Sequence, residues 1–269
     1  MQTVLITGAS AGFGKLVAEK LLAKGYTVYA AARRVEKMRD LEAQGAHIMH
    51  MDVTDTDSVY AGVAKIIEEQ QRIDVLFNNA GYGSYGTIEC VPLEEIQRQY
   101  DVNVFGMGRL VQAVLPHMRK QGSGRIINTA SVVGHVSTAV LGWYASTKHA
   151  VEAFSDALRM EVKSLGIDVV VIEPGAVKTE FDEVAFATLD SLNHAEDYKP
   201  LVAAFRKFTS KLYSKSPGPE STANAVVKAI EARNPKTRYA TTMDAKLLPR
   251  VKRMLGDKLF DKIVLSQMK

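Results

Sequence analysis

Short β-branched runs alternate with helix-length amphipathic stretches along most of this 269-residue chain, and that alternation restricts the fold more than any other feature. Strands are predicted at 3–7, 27–31, 47–51, 75–77, 125–129, 168–172 and 238–241, and helices near 14–24, 56–71, 93–120, 143–165 and 221–233. Strands that are joined through helices pair in parallel, with the crossover helices packed on the sheet. The strand segments are almost wholly apolar, as a sheet covered on both faces requires. The pattern predicts one α/β domain spanning 1–269, built on a doubly wound parallel sheet of about seven strands.

Two stretches depart from the alternation. Residues 176–220 carry no strand pattern, several aromatics and a Ser216-Pro217-Gly218-Pro219 stop. A structureless loop of that length is foreign to a compact domain, so helical pieces are expected around 181–192 and 198–214, acting as a lid. Residues 242–269 are expected to form a helical extension. Its apolar stripe (Leu247, Leu248, Val251, Met254, Leu255, Leu259, Phe260, Ile263 and Val264) lies opposite basic residues. Docking of that stripe onto the body is the expectation, with membrane-surface attachment as the alternative.

Composition removes several function classes. The lone cysteine, Cys90, excludes an intramolecular disulfide and a cysteine-based zinc site, and no metal is expected. No apolar run reaches the roughly 18 residues of a membrane span, and a strand in place of a leader predicts a soluble, cytoplasmic protein. The net charge of +4 is concentrated in residues 246–269, which alone sum to +5. No basic stripe with interleaved aromatics crosses the body, so no nucleic-acid partner is expected.

Thr7-Gly8-Ala9-Ser10-Ala11-Gly12-Phe13-Gly14 lies between the first strand and the first helix. Glycines there allow a tight turn and close backbone approach to a diphosphate, and the helix N-terminus behind them offers free N–H groups. A Walker loop does not fit, because the glycine spacing is one residue too long and Leu16 replaces its Ser/Thr. Glycine also serves plain strand–helix packing, so the next strand matters. It ends Ala30-Ala31-Ala32-Arg33-Arg34, with no carboxylate to hold a ribose 2′-hydroxyl and two guanidiniums able to pair with a 2′-phosphate. NADP(H) is the expected cofactor, with Arg33 as the direct contact and Arg34 near the adenine.

Tyr144 and Lys148 stand four apart at the start of a helix pattern, on one face. A neighbouring ammonium favours the phenolate, so such a pair can exchange a proton with a carbonyl or alcohol. Ser131 closes the run after an apolar strand, where ligands bind at the carboxyl ends of parallel strands. Asn78-Asn79-Ala80-Gly81 ends the fourth strand in the same way, and Asn103 interrupts an amphipathic helix.

Taken together in this order, these motifs resemble the short-chain dehydrogenase/reductase family over about residues 3–180, and the tail resembles its hydroxysteroid- and retinol-dehydrogenase-like branch. The resemblance implies a Rossmann fold and hydride transfer at a CH–OH group. It further implies Tyr144 as acid/base, Lys148 on the nicotinamide ribose, Ser131 on the substrate oxygen and Asn103 in a proton relay. By the same resemblance Gly8, Ser10, Gly12, Phe13 and Gly14 cradle the diphosphate, while Asp52 and Val53 meet the adenine. Asn79, Ala80 and Gly81 line the adenosine ribose, and Pro174, Gly175, Val177 and Thr179 hold the nicotinamide end. His135 and Trp143 are expected at the substrate mouth beside Ser131 and Tyr144. The apolar lid suggests a lipophilic or aromatic small-molecule carbonyl or alcohol, and the tail suggests a dimer or monomer in place of a tetramer. An acyl-carrier or other polar-ketone reductase, or an NADP sensor without turnover, are the competing readings.

Overall fold

A computed structural model describes residues 2–268. Seven parallel strands form one sheet in the order β3-β2-β1-β4-β5-β6-β7: β1 Thr3–Thr7, β2 Thr27–Ala32, β3 His47–His50, β4 Val75–Asn78, β5 Gly124–Thr129, β6 Ile167–Glu173 and β7 Arg238–Ala240. The register pairs Ile6 with Ala30 on one side and with Phe77 on the other. All five residues of β1 are buried, which matches its unbroken apolar reading.

Side chains alternate across this sheet and feed two cores. On one face Val4, Ile6, Phe77 and Ile127 meet α1 (Gly12–Leu22) and α9 (Glu220–Glu231) through Val17, Leu21, Val226 and Ile230. On the other, Leu5, Leu76 and Ile126 meet α3 (Thr56–Gln70), α5 (Gly106–Gln121) and α6 (Gly142–Val162). Local chemistry sets the helix ends. The Asp55 carboxylate accepts hydrogen bonds from the Asp57 and Ser58 amides at the start of α3, and Gly122 closes α5 with a φ of 65°. The short helix α2 (Arg39–Ala43) follows β2.

The expected helix over 93–120 is interrupted. It comprises α4 (Leu93–Tyr100), a π turn at Asp101–Phe105 and then α5. An amphipathic pattern does not report a single widened turn, because one extra residue barely disturbs its periodicity. Residues 176–220 fold as expected into α7 (Phe181–Ser191) and α8 (Lys199–Lys215).

The tail forms α10 (Met243–Leu255) and α11 (Asp257–Gln267), but its apolar stripe divides. Ala245, Leu248, Phe260 and Val264 pack on Val132 and Val136, whereas Leu247, Val251, Met254, Leu259 and Ile263 are exposed. Two helices joined at Gly256 cannot present one continuous face to the body. Lys269, counted among the tail cations, lies outside the described residues. Among the described residues, no helix is long and apolar enough to cross a membrane.

Phe77 is fully buried in β4 between two paired strands. Phe77→Ala is expected to cost about 3–5 kcal/mol by removing its contacts and leaving a cavity, measured as a lower denaturation midpoint.

Candidate active site

The sheet turns in opposite senses on the two sides of β1, so a crevice opens where β1 and β4 diverge at their carboxyl ends. Thr7 and Asn79 hold it open. The Thr7 hydroxyl accepts from the Asn79 and Ala80 amides at 3.1 Å, and the Asn79 side-chain amide donates to Thr7 O and Gly8 O at 3.1 and 3.2 Å. Gly8 has φ 65°, and a Cβ there would meet Ala80 Cα at 2.9 Å. At Gly14 a Cβ would meet the Gly8 carbonyl oxygen at 2.6 Å. No side chain caps the N-terminus of α1 behind this turn, leaving its first amides free to bind an anion.

A cavity of about 740 Å³ runs from this turn to the far side of Tyr144. It is lined by Gly8, Ser10, Gly12, Phe13, Arg33, Arg34, Asp52, Val53, Asn79, Ala80, Gly81, Ser131, Tyr144, Lys148, Pro174, Gly175, Val177 and Thr179. Gly14 is buried beneath the turn. At the end of β2 both arginines are exposed. Arg34 reaches Ser10 Oγ at 3.4 Å and Glu180 at 3.8 Å, while among the described residues Arg33 has no ion-pair partner.

Tyr144, Ser131 and Lys148 meet from two stretches of chain. Burial pushes the Tyr144 phenol well above its ordinary pKa; the nearby Tyr213 adds to this and a hydrogen bond with Ser131 opposes it. The Ser131 hydroxyl donates to Pro174 O at 3.2 Å. Lys148 Nζ donates to Thr129 O at 2.8 Å and stands 5.8 Å from the centre of the Tyr144 ring. Burial draws its pKa down to about 8, with the Glu152 carboxylate resisting. The lowered phenol pKa expected from Lys148 is therefore not the state of the free site, because desolvation outweighs an ammonium held toward Thr129.

Asn103 projects from the π turn and is buried just behind the cavity. Its side-chain amide donates to Tyr82 O at 2.8 Å and to Thr147 Oγ1 at 3.2 Å, and its oxygen accepts from the Tyr82 amide at 3.0 Å. The asparagine thus fixes the loop after β4 against α6.

Two expected mouth residues lie elsewhere. His135 is turned away from the cavity, with Nε2 3.0 Å from Glu173 and 3.6 Å from Glu152. Trp143 donates its indole N–H to Ile88 O at 3.2 Å and does not line the cavity. Both sit in the right stretch of sequence, but the opposing carboxylates and the Ile88 carbonyl satisfy them more fully than an apolar pocket would.

In their place the mouth gains Tyr85 and a brace from the tail, which no motif singled out for this role. Tyr85 follows β4, and its hydroxyl lies 3.2 Å from that of Tyr213 on α8. The tail braces the loop after β6: Gly175 N donates to Thr242 Oγ1 at 3.0 Å, and Ala176 N donates to Asp244 Oδ2 at 2.9 Å. Such residues carry no local motif, because their partners come from distant sequence.

His135, Glu152 and Glu173 lie close enough together to hold a cation. Arg238 already fills that role, reaching Glu152 at 3.0 Å, Glu173 at 3.2 Å and Asp156 at 2.8 Å. The hydrogen bond to Glu173 raises the His135 pKa, and burial raises that of Glu152 from 4.5 to about 7. Both shifts mean the folded state binds protons more tightly. The stability each contributes is full below its unfolded value and is lost as pH rises through its folded value. Melting temperature is expected to fall across the Glu152 window, from 4.5 to about 7, and Glu152→Gln should flatten that slope.

The site fits a dinucleotide: a glycine cradle with no room for a Cβ at Gly8 or Gly14, an uncapped helix end and cationic side chains at the far rim. Comparison with known proteins agrees. A family model described as short chain dehydrogenase matches residues 2–190. An NADPH-dependent 3-dehydrocapnine reductase of Ornithobacterium rhinotracheale is 34% identical, covering 100% of this chain and 98% of its own. A 3-ketodihydrosphingosine reductase of Bacteroides thetaiotaomicron is 37% identical, covering 88% of this chain and 86% of its own. The crystal structure of a short-chain dehydrogenase from Streptomyces avermitilis superimposes with a TM-score of 0.81 at 32% identity, covering 98% of this chain and 97% of that one. The chain belongs to the short-chain dehydrogenase family, oxidoreductases that use a nicotinamide cofactor.

Proposed function

We propose that the protein is an NADP(H)-dependent oxidoreductase that reduces a lipophilic ketone or aldehyde to its alcohol. One observation carries this reading: the Tyr144–Ser131 pair stands between a dinucleotide crevice and an apolar chamber within a single cavity. The bound cofactor would supply the hydride to the carbonyl carbon. Ser131 orients the carbonyl oxygen, and Tyr144 donates its phenolic proton to that oxygen as the C=O bond becomes an alcohol. Lys148 would stabilise the phenolate left behind and would hold the cofactor ribose. Asn103 keeps the Tyr82 loop against α6 and, in this reading, serves the path by which the proton is replaced.

A phenol that burial keeps protonated is ready to donate in reduction, and the same residue as phenolate would serve the reverse reaction. The chamber beyond Tyr144 is walled by Phe181, Phe205, Phe208, Leu212 and Val264, which favours an apolar substrate over an acyl-carrier thioester. α7 and α8 act as its lid. The relatives' names, an NADPH-dependent 3-dehydrocapnine reductase and a 3-ketodihydrosphingosine reductase, support the cofactor and the direction.

Cofactor choice rests on Arg33, whose guanidinium lines the crevice with no ion-pair partner among the described residues, while Arg34 is engaged by Ser10 and Glu180. Arg33→Ala is expected to weaken NADPH about tenfold or more relative to NADH, measured by fluorescence titration of both cofactors. An unchanged ratio removes the NADP assignment. Tyr144→Phe should lower turnover of lipophilic ketones by about 10²–10⁴-fold with NADPH affinity retained. Retained turnover would remove both the proton donor and the mechanism, and loss of NADPH binding alongside it would mark a folding defect instead.

A further inference from the structure

The exposed half of the tail has an order that packing against the body does not explain. On α10, Met243, Leu247, Val251 and Met254 recur at four, four and three residues, so they share one helix face, and all are exposed. Met243 is 66% exposed and Met254 83%. Lys246, Arg250 and Arg253 each precede one of these residues and form a parallel basic stripe, with Lys252 nearby. α11 repeats the pattern, with exposed Leu259 and Ile263 preceded by Lys258 and Lys262. Of the acidic residues on these helices, Asp244 is engaged by Ala176 N, while Asp257 (4.0 Å from Lys252) and Asp261 lie on α11.

The apolar face is continuous with the mouth of the cavity. Val251 and Ile263 are exposed and yet line it. Across the opening Val184 on α7 and Leu212 on α8 do the same, with the exposed Lys211 beside Leu212. Large exposed apolar patches mark interaction sites, and an apolar helix face flanked by lysine and arginine suits an interface between apolar chains and anionic headgroups. A second protein chain would be poorly matched by a border of cations that repels its own copy.

We propose that the outer faces of α10 and α11 seat the protein on an anionic lipid surface, so that the cavity mouth opens toward the acyl chains. A substrate with a long apolar tail then enters from the lipid without crossing water, and the basic stripe holds the mouth against the headgroups. The docking itself does not rest on the cofactor or the direction of reaction; only its use by the substrate rests on the lipophilic reading.

The test uses the full chain and two kinds of vesicle, phosphatidylcholine alone and an equal mixture of phosphatidylcholine and phosphatidylglycerol. Cosedimentation is expected with the mixed vesicles and not with the neutral ones, and should weaken as salt is raised. Leu247→Asp combined with Met254→Asp, on side chains that do not line the cavity, should weaken binding to the mixed vesicles about tenfold or more. Turnover of a small water-soluble ketone should be unchanged in that variant, which establishes that it folds. Absence of cosedimentation, or equal binding by wild type and folded variant, overturns the proposal. So does a wild-type dimer that the substitutions dissociate without any vesicle binding, since a second copy would then cover the face. Because cosedimentation needs no turnover, these results are separable from failure of the reductase reading.

Discussion

The site depends on how β1 and β4 part at their carboxyl ends. Up to Ile6 and Phe77 the two strands are paired; beyond them Thr7 and Asn79 replace strand pairing with four hydrogen bonds across the gap. Each bond adds only about 0.5–1.5 kcal/mol to stability, so their importance is positional. They bring Gly8 against Ala80 with no room for a side chain, and so set the path of the glycine turn. The uncapped end of α1, the β2 arginines and the loop after β4 all take their positions from that divergence.

A second constraint is burial without full compensation. Lys148, Glu152 and Glu173 are ionisable groups buried under the sheet's carboxyl edge. Arg238 and His135 take up the carboxylates, while among the described residues Lys148 donates to one backbone oxygen, that of Thr129. Unpaired charge in such surroundings is costly. Stability held by the sheet thereby tolerates a polar site that does little to stabilise the fold itself.

Much of this was legible in the sequence because it depends on local pattern. Apolar β-branched runs located all seven strands, and helical spacing found α7 and α8 within a segment that lacks strands. Glycine at positions 8, 12 and 14 and the four-residue step from Tyr144 to Lys148 identified the crevice, since both signals survive without knowledge of tertiary contacts. What escaped depends on who meets whom. His135 and Trp143 lie between Ser131 and Tyr144 in sequence, yet a carboxylate on β6 and a carbonyl after β4 decide where they point. Tyr85 and Tyr213 are 128 residues apart, and no spacing rule joins them. The tail stripe looked continuous because periodicity carries no record of the bend at Gly256.

The π turn at Asp101–Phe105 has a consequence for how this chain can change length. It holds one residue more than a regular helix needs, and Asn103 reaches Tyr82 and Thr147 from it. Deleting a single residue there would close the widened turn into ordinary α-helix while leaving α4 and α5 near their present phase, because the wide turn is what absorbs the extra residue. The asparagine would then leave the loop it secures, although neither core would lose an apolar side chain. Such a deletion would therefore fall on the site, through the Asn103 contacts to Tyr82 and Thr147, and not on the packing of the helices.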